Sequence, residues 1–375
     1  MRKRLLAALI LLLLLPRAAL GDGWIVEETP EDDDFSMQDI LNAPKTSRNP
    51  NILTLSFVGD CSIGGKPDSR GKEGTYTAVV DEKGFDWPFS LVREYLEADD
   101  FSFANNEGVF TGGNRTQNKN TVLGALPEYA RVYLHSGIDA VNTVNNHCLD
   151  YLDAGYTDTL QTLDGLGIRY FGSLYPDTKR QREQLGIFDV KGVRLGAAGF
   201  SYPQTADLPV IASRIRALRK AGCQLVIISL HWGREELTTP KAWQIDLARG
   251  IIDAGADVIW GHHPHILQQV QFYKGKPIFY STGNFTFGAI KNLDPDTGIF
   301  QLRYDVRTLS LLNFTVIPCR TQGRGDFRPY VLTDEAEKRA MLKKLIYPRA
   351  VPGMQNLPSA FAETGSVDLT DGKLP

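Results

Sequence analysis

Apolar runs of strand length alternate with polar stretches along the middle of the chain, and several runs stop directly at residues that can bind a metal ion. Uninterrupted apolar runs are typical of strands covered on both faces of a sheet. The strands predicted in this way cover residues 52–58, 101–104, 140–144, 168–171, 225–230 and 257–260. Hairpins are predicted around residues 191–192 and 274–277, and residues 299–306 and 309–317 are predicted to complete a second sheet.

Apolar positions at helical spacing predict helices between these strands. The predicted helices cover residues 127–135, 155–166, 211–221 and 334–345. A further helix is predicted to have Thr239 as its N-cap, Pro240 at its first position and Gly255 as its stop. Strands and helices alternate early and strands dominate late, which predicts an α/β sandwich whose helices cover two packed sheets.

The N-terminus indicates export. Arg2, Lys3 and Arg4 precede an apolar run over residues 5–15, so residues 1–21 are predicted to be a secretory signal peptide. The run is shorter than the roughly 20 residues of a membrane span. We therefore expect a secreted or extracytoplasmic protein, with membrane association through an uncleaved N-terminal segment as the alternative.

Composition separates the rest of the chain into three parts. Residues 22–50 are acidic and punctuated by proline, which predicts a flexible linker. Residues 51–320 are predicted to form the main domain and residues 321–375 a C-terminal extension, whose polar tail from Pro352 we expect to be mobile. The whole chain has a net charge of −3 and does not show the excess of positive charge that is typical of nucleic-acid-binding proteins.

Five of the six histidines lie in three short segments that each follow a predicted strand, at residues 145–147, 231–233 and 261–265. Asp60 and Glu107 follow two other predicted strands. Imidazole and carboxylate groups gathered at strand ends predict a dinuclear metal centre at the edge of a sheet. The predicted ligands are Asp60, Glu107, Asn146, His231, His263 and His265.

Each of these residues also has an ordinary interpretation. Asp60 alone would indicate a turn, Glu107 a solvated loop carboxylate and His231 a buried structural histidine. The joint pattern favours the metal centre over a metal-free site. In that centre His263 and His265 are predicted to alternate along an extended segment and to face the metals together, with His262 facing away.

Six motifs occur together in this chain: Val58-Gly59-Asp60 and residues 103–108, 144–151, 229–233, 261–268 and 280–285. Together they resemble the CapA family, which is named for poly-γ-glutamate capsule biosynthesis. The resemblance covers roughly residues 51–318, and the motifs stand in the order of the family.

The CapA family is similar to a branch of the calcineurin-like metallophosphoesterase superfamily. That resemblance implies a four-layer α/β/β/α sandwich and two divalent metal ions, with manganese, iron and zinc as the candidates. It implies that Glu107 bridges the two ions while Asp60, Asn146 and the three histidines named above complete the ligands. It also implies that His147 is the catalytic acid beside the leaving group.

Three residues depart from the pattern of the superfamily. Ser62 stands where a histidine ligand is usual, Glu107 replaces a shorter aspartate, and Cys148 replaces a small residue. The first two departures predict two metal sites of unequal affinity. Cys148 and Cys61 each adjoin a predicted site residue, and we expect two buried thiols there, with a disulfide or a soft metal ligand as alternatives.

The predicted function is metal-dependent hydrolysis in the synthesis or export of a capsule or cell-envelope polymer. The expected partners are an anionic envelope polymer or its precursor and membrane-bound polymer synthase subunits, with no nucleic acid. Two alternatives stay open. One is a polymer-binding accessory subunit without turnover, and the other is a generic secreted metallophosphodiesterase.

Overall fold

The fold is given by a computed structural model that describes residues 49–175, 182–204, 207–288 and 294–371. The predicted signal peptide and nearly all of the predicted linker lie outside the described residues. The helices are α1 (Tyr76–Lys83), α2 (Arg93–Glu97), α3 (Leu152–Gly165), α4 (Leu208–Lys220), α5 (Ala242–Asp253), α6 (Glu335–Lys343) and α7 (Phe361–Thr364), with 3₁₀ helices at Pro67–Ser69, Trp87–Phe89 and Pro127–His135. Among the described residues, no helix combines the length and apolar character needed to cross a membrane.

The strands of the described residues form two large sheets and one small one. They are β1 (Ile52–Ser62), β2 (Phe101–Asn106), β3 (Val109–Phe110), β4 (Gly124–Ala125), β5 (Ala140–Asn142), β6 (Arg169–Leu174), β7 (Arg182–Gln184), β8 (Gly186–Val190), β9 (Val193–Ser201), β10 (Leu225–His231), β11 (Val258–His262), β12 (Val270–Tyr273), β13 (Lys276–Phe279), β14 (Asn284–Phe287), β15 (Asp296–Asp305), β16 (Leu311–Thr321), β17 (Pro329–Val331), β18 (Gln355–Asn356) and β19 (Ser366–Asp368). The first sheet runs β17-β16-β15-β1-β2-β5-β6-β7, with β14 on β1 and β19 on β16, and the second runs β18-β12-β13-β11-β10-β9-β8. Strands β3 and β4 pair separately.

Three hydrophobic clusters stack the sheets and helices into four layers. The central cluster joins Leu53 and Phe57 of the first sheet to Leu195 and Trp260 of the second. A second cluster packs the outer face of the first sheet against α1, α2, α3 and the 3₁₀ helix Pro127–His135. The third packs the outer face of the second sheet against α4 and α5. These layers confirm the α/β/β/α sandwich that the sequence predicted.

Parallel strands place the candidate ligands at one edge of the sandwich. In the first sheet β1, β2, β5 and β6 are parallel neighbours, and in the second β9, β10, β11 and β13 are. Because the carboxyl ends of parallel neighbours share one edge, the segments that follow them converge there. Two glycines permit close packing at this edge. A Cβ atom added at Gly59 would lie 2.1 Å from the Gly283 carbonyl oxygen, and one added at Gly261 would lie 2.2 Å from the Tyr280 carbonyl oxygen.

Most predicted helices and strands are confirmed, but two predictions are wrong: the sheet that contains β15 and β16, and the start of α5. Strands β15 and β16 do not complete a second sheet, because β15 pairs antiparallel with β1 in the first. Helix α5 begins at Ala242 rather than at Pro240. Its N-cap is Lys241, whose backbone N–H donates to Gln244 Oε1 at 3.0 Å. The side chain of Gln244, at the third helical position, thus accepts the backbone hydrogen bond at the start of the helix, and Thr239 is not the N-cap.

The prediction of a mobile tail from Pro352 is also wrong for the described residues up to 371. Strand β18 pairs with β12 and β19 pairs with β16. The ring of Phe361 is fully buried and stacks on Phe314 at a centroid distance of 5.5 Å. Few but well-placed apolar residues therefore anchor this segment to the central core, although its average composition is polar.

Replacing Val367 by alanine is expected to destabilise the whole domain by about 1.5–2 kcal/mol, at about 0.8 kcal/mol for each buried methylene equivalent. Val367 is 4% exposed and lies opposite Phe314 in the β16–β19 ladder. Urea unfolding of Val367→Ala and of the exposed control Ser359→Ala measures the difference. Equal unfolding midpoints for the wild type and both variants would show that this segment lies outside the cooperative core.

Candidate metal centre

The carboxylate of Glu107 lies at the middle of a group of histidines. Its Oε1 atom is 3.7 Å from His265 Nε2 and 3.8 Å from the Nε2 atoms of His147 and His231. Glu107 follows β2, His231 ends β10, and the other two follow β5 and β11, so both sheets supply this group. Ligand atoms bound to one ion at about 2.1 Å lie about 3–3.5 Å apart, close to these separations.

Glu107 is fully buried, and neither of its carboxylate oxygens has a hydrogen-bond partner among the described residues. Burial raises the pKa of Glu107 well above its ordinary value, and the nearby Asp60 carboxylate raises it further. An unpaired buried carboxylate is costly unless a cation balances it. The surroundings of Glu107 therefore fit a metal ligand better than a structural acid.

Asp60 lies within β1, because this strand continues past the end predicted at residue 58. Several side chains surround the Asp60 carboxylate. Asn105 Nδ2 donates to Asp60 Oδ1 at 2.8 Å, and the Nδ1 atom of His262 is 2.9 Å from the same oxygen. The Nδ1 atom of His265 is 3.6 Å from Oδ2. Burial alone would raise the pKa of Asp60, but His262 and His265 outweigh it and lower the pKa. Asp60 is therefore available as a carboxylate.

The imidazoles of His231 and His263 are available as neutral ligands. Both ring nitrogens of His231 are buried without a hydrogen-bond partner among the described residues, and its ring centroid is 4.7 Å from that of His263. Burial lowers the pKa of His231 well below its ordinary value, and neighbouring histidines lower it further. Burial and His265 lower the pKa of His263 to about 4. The neutral imidazole is the form that binds a metal ion.

Asn146 is placed by its neighbours in the loop after β5. Asn145 Nδ2 donates to the backbone carbonyl of Asn106 at 2.8 Å, which ties this loop to the end of β2. The side-chain oxygen of Asn146 is buried and has no hydrogen-bond partner within the described chain. A free amide oxygen suits the ligand role predicted for Asn146.

The prediction of an extended segment at residues 263–265 is wrong. His263 and His265 have φ angles of 95° and 58°, which lie in the left-handed region, so simple strand alternation does not apply. His262 is fully buried with its ring against Trp260 and Asp60, rather than facing away from the site. His265 is held by Asn284, whose Oδ1 is 2.9 Å from His265 Nδ1.

His147 is oriented by an aspartate three residues later. Its Nδ1 atom is 2.7 Å from Asp150 Oδ2, which leaves Nε2 facing Glu107. Asp150 also accepts a hydrogen bond from the backbone N–H of Leu123 at 2.6 Å and forms an ion pair with Lys119. The ring of His147 is thus fixed in the orientation that a proton donor aimed into the centre requires.

A cavity of about 720 Å³ opens above the centre. His147 and His265 line the cavity, and so do the cationic residues Lys66, Lys72 and Arg324. Acidic residues also line it: Asp68, Glu235 and Glu236. The cavity is large enough for a substrate that is longer than a simple phosphate group.

The structure shows several neighbours that the sequence reasoning did not assign. Asp150, Lys119 and Asn284 hold predicted site residues, and Glu235 lies beside His263. Asp150 follows His147 by three residues and Glu235 follows His231 by four, so nearness in sequence was the available signal. Lys119 lies in the loop between β3 and β4, and Asn284 begins β14; both are distant in sequence from the residues they hold, so periodicity could not place them at the site.

Ser62 and the four cysteines are buried. The hydroxyl of Ser62 is buried without a hydrogen-bond partner in the described part of the chain. Cys61 and Cys148 are free and buried, as are Cys223 and Cys319, which confirms the prediction of buried thiols. Burial raises the pKa of Cys148 to about 12. The thiolate form that would bind a soft metal is therefore disfavoured.

Comparison with known proteins gives a family and several relatives. Residues 54–289 match the family model described as bacterial capsule synthesis protein PGA_cap. The chain is 29% identical over 324 residues to the capsule biosynthesis protein CapA of Bacillus anthracis, which covers 81% of this chain and 75% of that protein. It is 31% identical over 284 residues to the PGA biosynthesis protein CapA of Bacillus subtilis (strain 168), covering 72% and 71%. It is 24% identical over 287 residues to a probable polyglutamine synthesis accessory protein of Mycobacterium tuberculosis, covering 63% and 74%.

Proposed function

This chain belongs to the bacterial capsule synthesis protein family PGA_cap, and we propose that it acts outside the cytoplasm as a metal-dependent hydrolase on an anionic envelope polymer of the poly-γ-glutamate type. The observation that carries the proposal is the buried, unpaired Glu107 carboxylate, 3.7–3.8 Å from three imidazole nitrogens. Oxygen and nitrogen donors in this mixture suit manganese, iron or zinc. Asp60, Glu107, Asn146, His231, His263 and His265 would hold two such ions.

Bound divalent ions would lower the pKa of a water molecule and polarise an ester or amide oxygen. The protein itself would supply orientation and a proton. Asp150 accepts from Nδ1–H of His147, so a proton on Nε2 would point into the centre toward a leaving group. Lys119 balances the charge of Asp150 and also donates to the backbone carbonyl of Asn146 at 3.0 Å. Lys119 thus links the residue that orients His147 to the neighbouring ligand Asn146.

The cavity offers cationic side chains to an anionic polymer. Lys66, Lys72 and Arg324 line it together with three acidic residues, Asp68, Glu235 and Glu236. The three cations would pair with carboxylates along the polymer. The names of the relatives from Bacillus anthracis and Bacillus subtilis refer to capsule and PGA biosynthesis, which agrees with such a substrate.

The proposed location rests on the sequence of the N-terminus. A basic start, an apolar run over residues 5–15 and small residues before Gly21 are typical of an export signal. An extracytoplasmic position would bring the domain to the envelope polymer and to membrane-bound polymer synthase subunits. If the segment is not cleaved, it would also tether the domain to the membrane.

A polymer-binding accessory role without turnover is the second candidate. Ser62 replaces a histidine that the superfamily resemblance leads us to expect, so one metal site has one strong donor fewer. The relative from Mycobacterium tuberculosis is named as a probable accessory protein. In this role Lys66, Lys72 and Arg324 would bind the polymer, and the metal centre would only stabilise the fold of the site.

We expect the purified protein to contain divalent metal and to cleave bis(p-nitrophenyl) phosphate or shorten poly-γ-glutamate. Elemental analysis measures the metal, and release of nitrophenol or a change in polymer length measures turnover. Bound metal and polymer binding without turnover on either substrate would support the accessory role. Equal, near-zero metal content in the wild type and in His263→Ala/His265→Ala would overturn the metal centre.

A further inference from the structure

A second group of potential ligands lies on the solvent side of the centre. Ligand atoms of Glu235, His263 and His265 all lie within 4.8 Å of one another. A separate buried group with the same property consists of Asp60, Glu107 and His231. The two groups share no residue, but His265 Nε2 lies 3.7 Å from Glu107 and so connects them. The centre therefore contains one buried and one accessible set of donors.

Glu235 is held near these histidines by the backbone. The N–H of Glu236 donates to the Pro264 carbonyl at 2.9 Å, between the two histidines. Two further bonds join the same loops, because Gln268 Nε2 donates to the Leu237 carbonyl at 2.5 Å and Gln269 Nε2 to the Thr238 carbonyl at 3.1 Å. The position of Glu235 is therefore built into the fold, although its side chain is exposed.

The donors of this second group are free to bind an ion. Within the described residues Glu235 has no ion-pair partner, and His263 Nδ1 is buried without a hydrogen bond. His265 has one nitrogen occupied by Asn284 and the other directed toward the centre. A carboxylate facing two imidazoles is a donor set that divalent manganese, iron and zinc accept.

We propose that Glu235 is a metal ligand that, with His263 and His265, holds the second ion on the solvent side. This assignment rests on the proposed metal centre. Because Glu235 is exposed whereas Asp60, Glu107 and His231 are buried, the ion on the solvent side would exchange with solution. The ion among the buried donors would be retained.

Calorimetric titration of the metal-free protein with Mn²⁺ tests the assignment. The wild type is expected to bind two ions with unequal affinities. Glu235→Gln is expected to weaken the weaker site at least 10-fold and to leave the tighter site unchanged, since even indirect supporting groups contribute 10–100-fold to affinity. Glu236→Gln is the matched control, because it removes the same charge from the next residue of the same loop and cavity.

The outcomes distinguish a failure of the Glu235 assignment from a failure of the proposed metal centre. Two sites in the wild type that Glu235→Gln leaves unchanged would overturn the role of Glu235 alone. Equal weakening by Glu235→Gln and Glu236→Gln would also overturn it, because general charge and not ligation would then explain the effect. No Mn²⁺ binding in the wild type would overturn both the centre and this ligand. The Mn²⁺ paramagnetic resonance spectrum provides a second readout, since loss of a carboxylate ligand changes the symmetry around the ion, so Glu235→Gln should alter the spectrum of the weaker site and Glu236→Gln should not.

Discussion

Glu107→Gln is expected to abolish tight metal binding and, at the same time, to make the metal-free protein more resistant to unfolding. In the wild type both oxygens of Glu107 are buried without partners, and Asp60 places a second negative charge nearby. Leaving such a group unpaired costs about 1–3 kcal/mol, more when it is charged. A neutral amide of the same shape avoids the additional cost of the charge, but it also removes the negative charge that attracts the ions.

Thermal unfolding with and without Mn²⁺ measures both effects. At a free Mn²⁺ concentration of about 100 times the Kd, the wild type should gain about 2.7 kcal/mol of stability, whereas Glu107→Gln should gain almost none. Glu94→Gln, on the exposed first turn of α2, is the control and should behave as the wild type does. A Glu107→Gln protein that is less stable without metal and is still stabilised by Mn²⁺ would show that Glu107 is a structural residue.

The sequence predicted the strands that carry the site because their apolar runs are long and uninterrupted. β10 and β11 are buried along their whole length, so their apolar residues identified them and the histidines that end them. The same pattern could not assign strands to sheets. The apolar residues of β15 would suit either sheet, and only its register with β1 shows that it extends the first sheet.

Features that depend on the backbone or on distant loops could not be predicted. His263 and His265 adopt positive φ angles, which a histidine takes only where the surrounding structure compensates for the strain. Here the Pro264 carbonyl between them accepts a hydrogen bond from the Glu236 N–H. The ion pair of Lys119 with Asp150 likewise joins two loops whose sequences carry no sign of each other.

His147→Asn is expected to retain bound metal and to lose turnover by roughly 10²–10⁴-fold, the usual contribution of a general acid. Distances alone do not separate a proton donor from a ligand, because the Nε2 atoms of His147 and His231 are both 3.8 Å from Glu107 Oε1. Asp150, 2.7 Å from the other nitrogen of His147, orients the ring for either role, since metal-bound histidines usually have such a partner too.

The leaving group decides between the two roles. p-Nitrophenolate departs without a proton, so the loss of turnover in His147→Asn should shrink on bis(p-nitrophenyl) phosphate and be largest on a phosphodiester with an alkyl leaving group. His135→Asn, a half-buried histidine outside the centre, is the control and should change neither metal content nor turnover. Loss of metal from His147→Asn, measured by elemental analysis, would show that His147 is a ligand. An equal loss of turnover on both substrates with metal retained would show that His147 orients the substrate without transferring a proton.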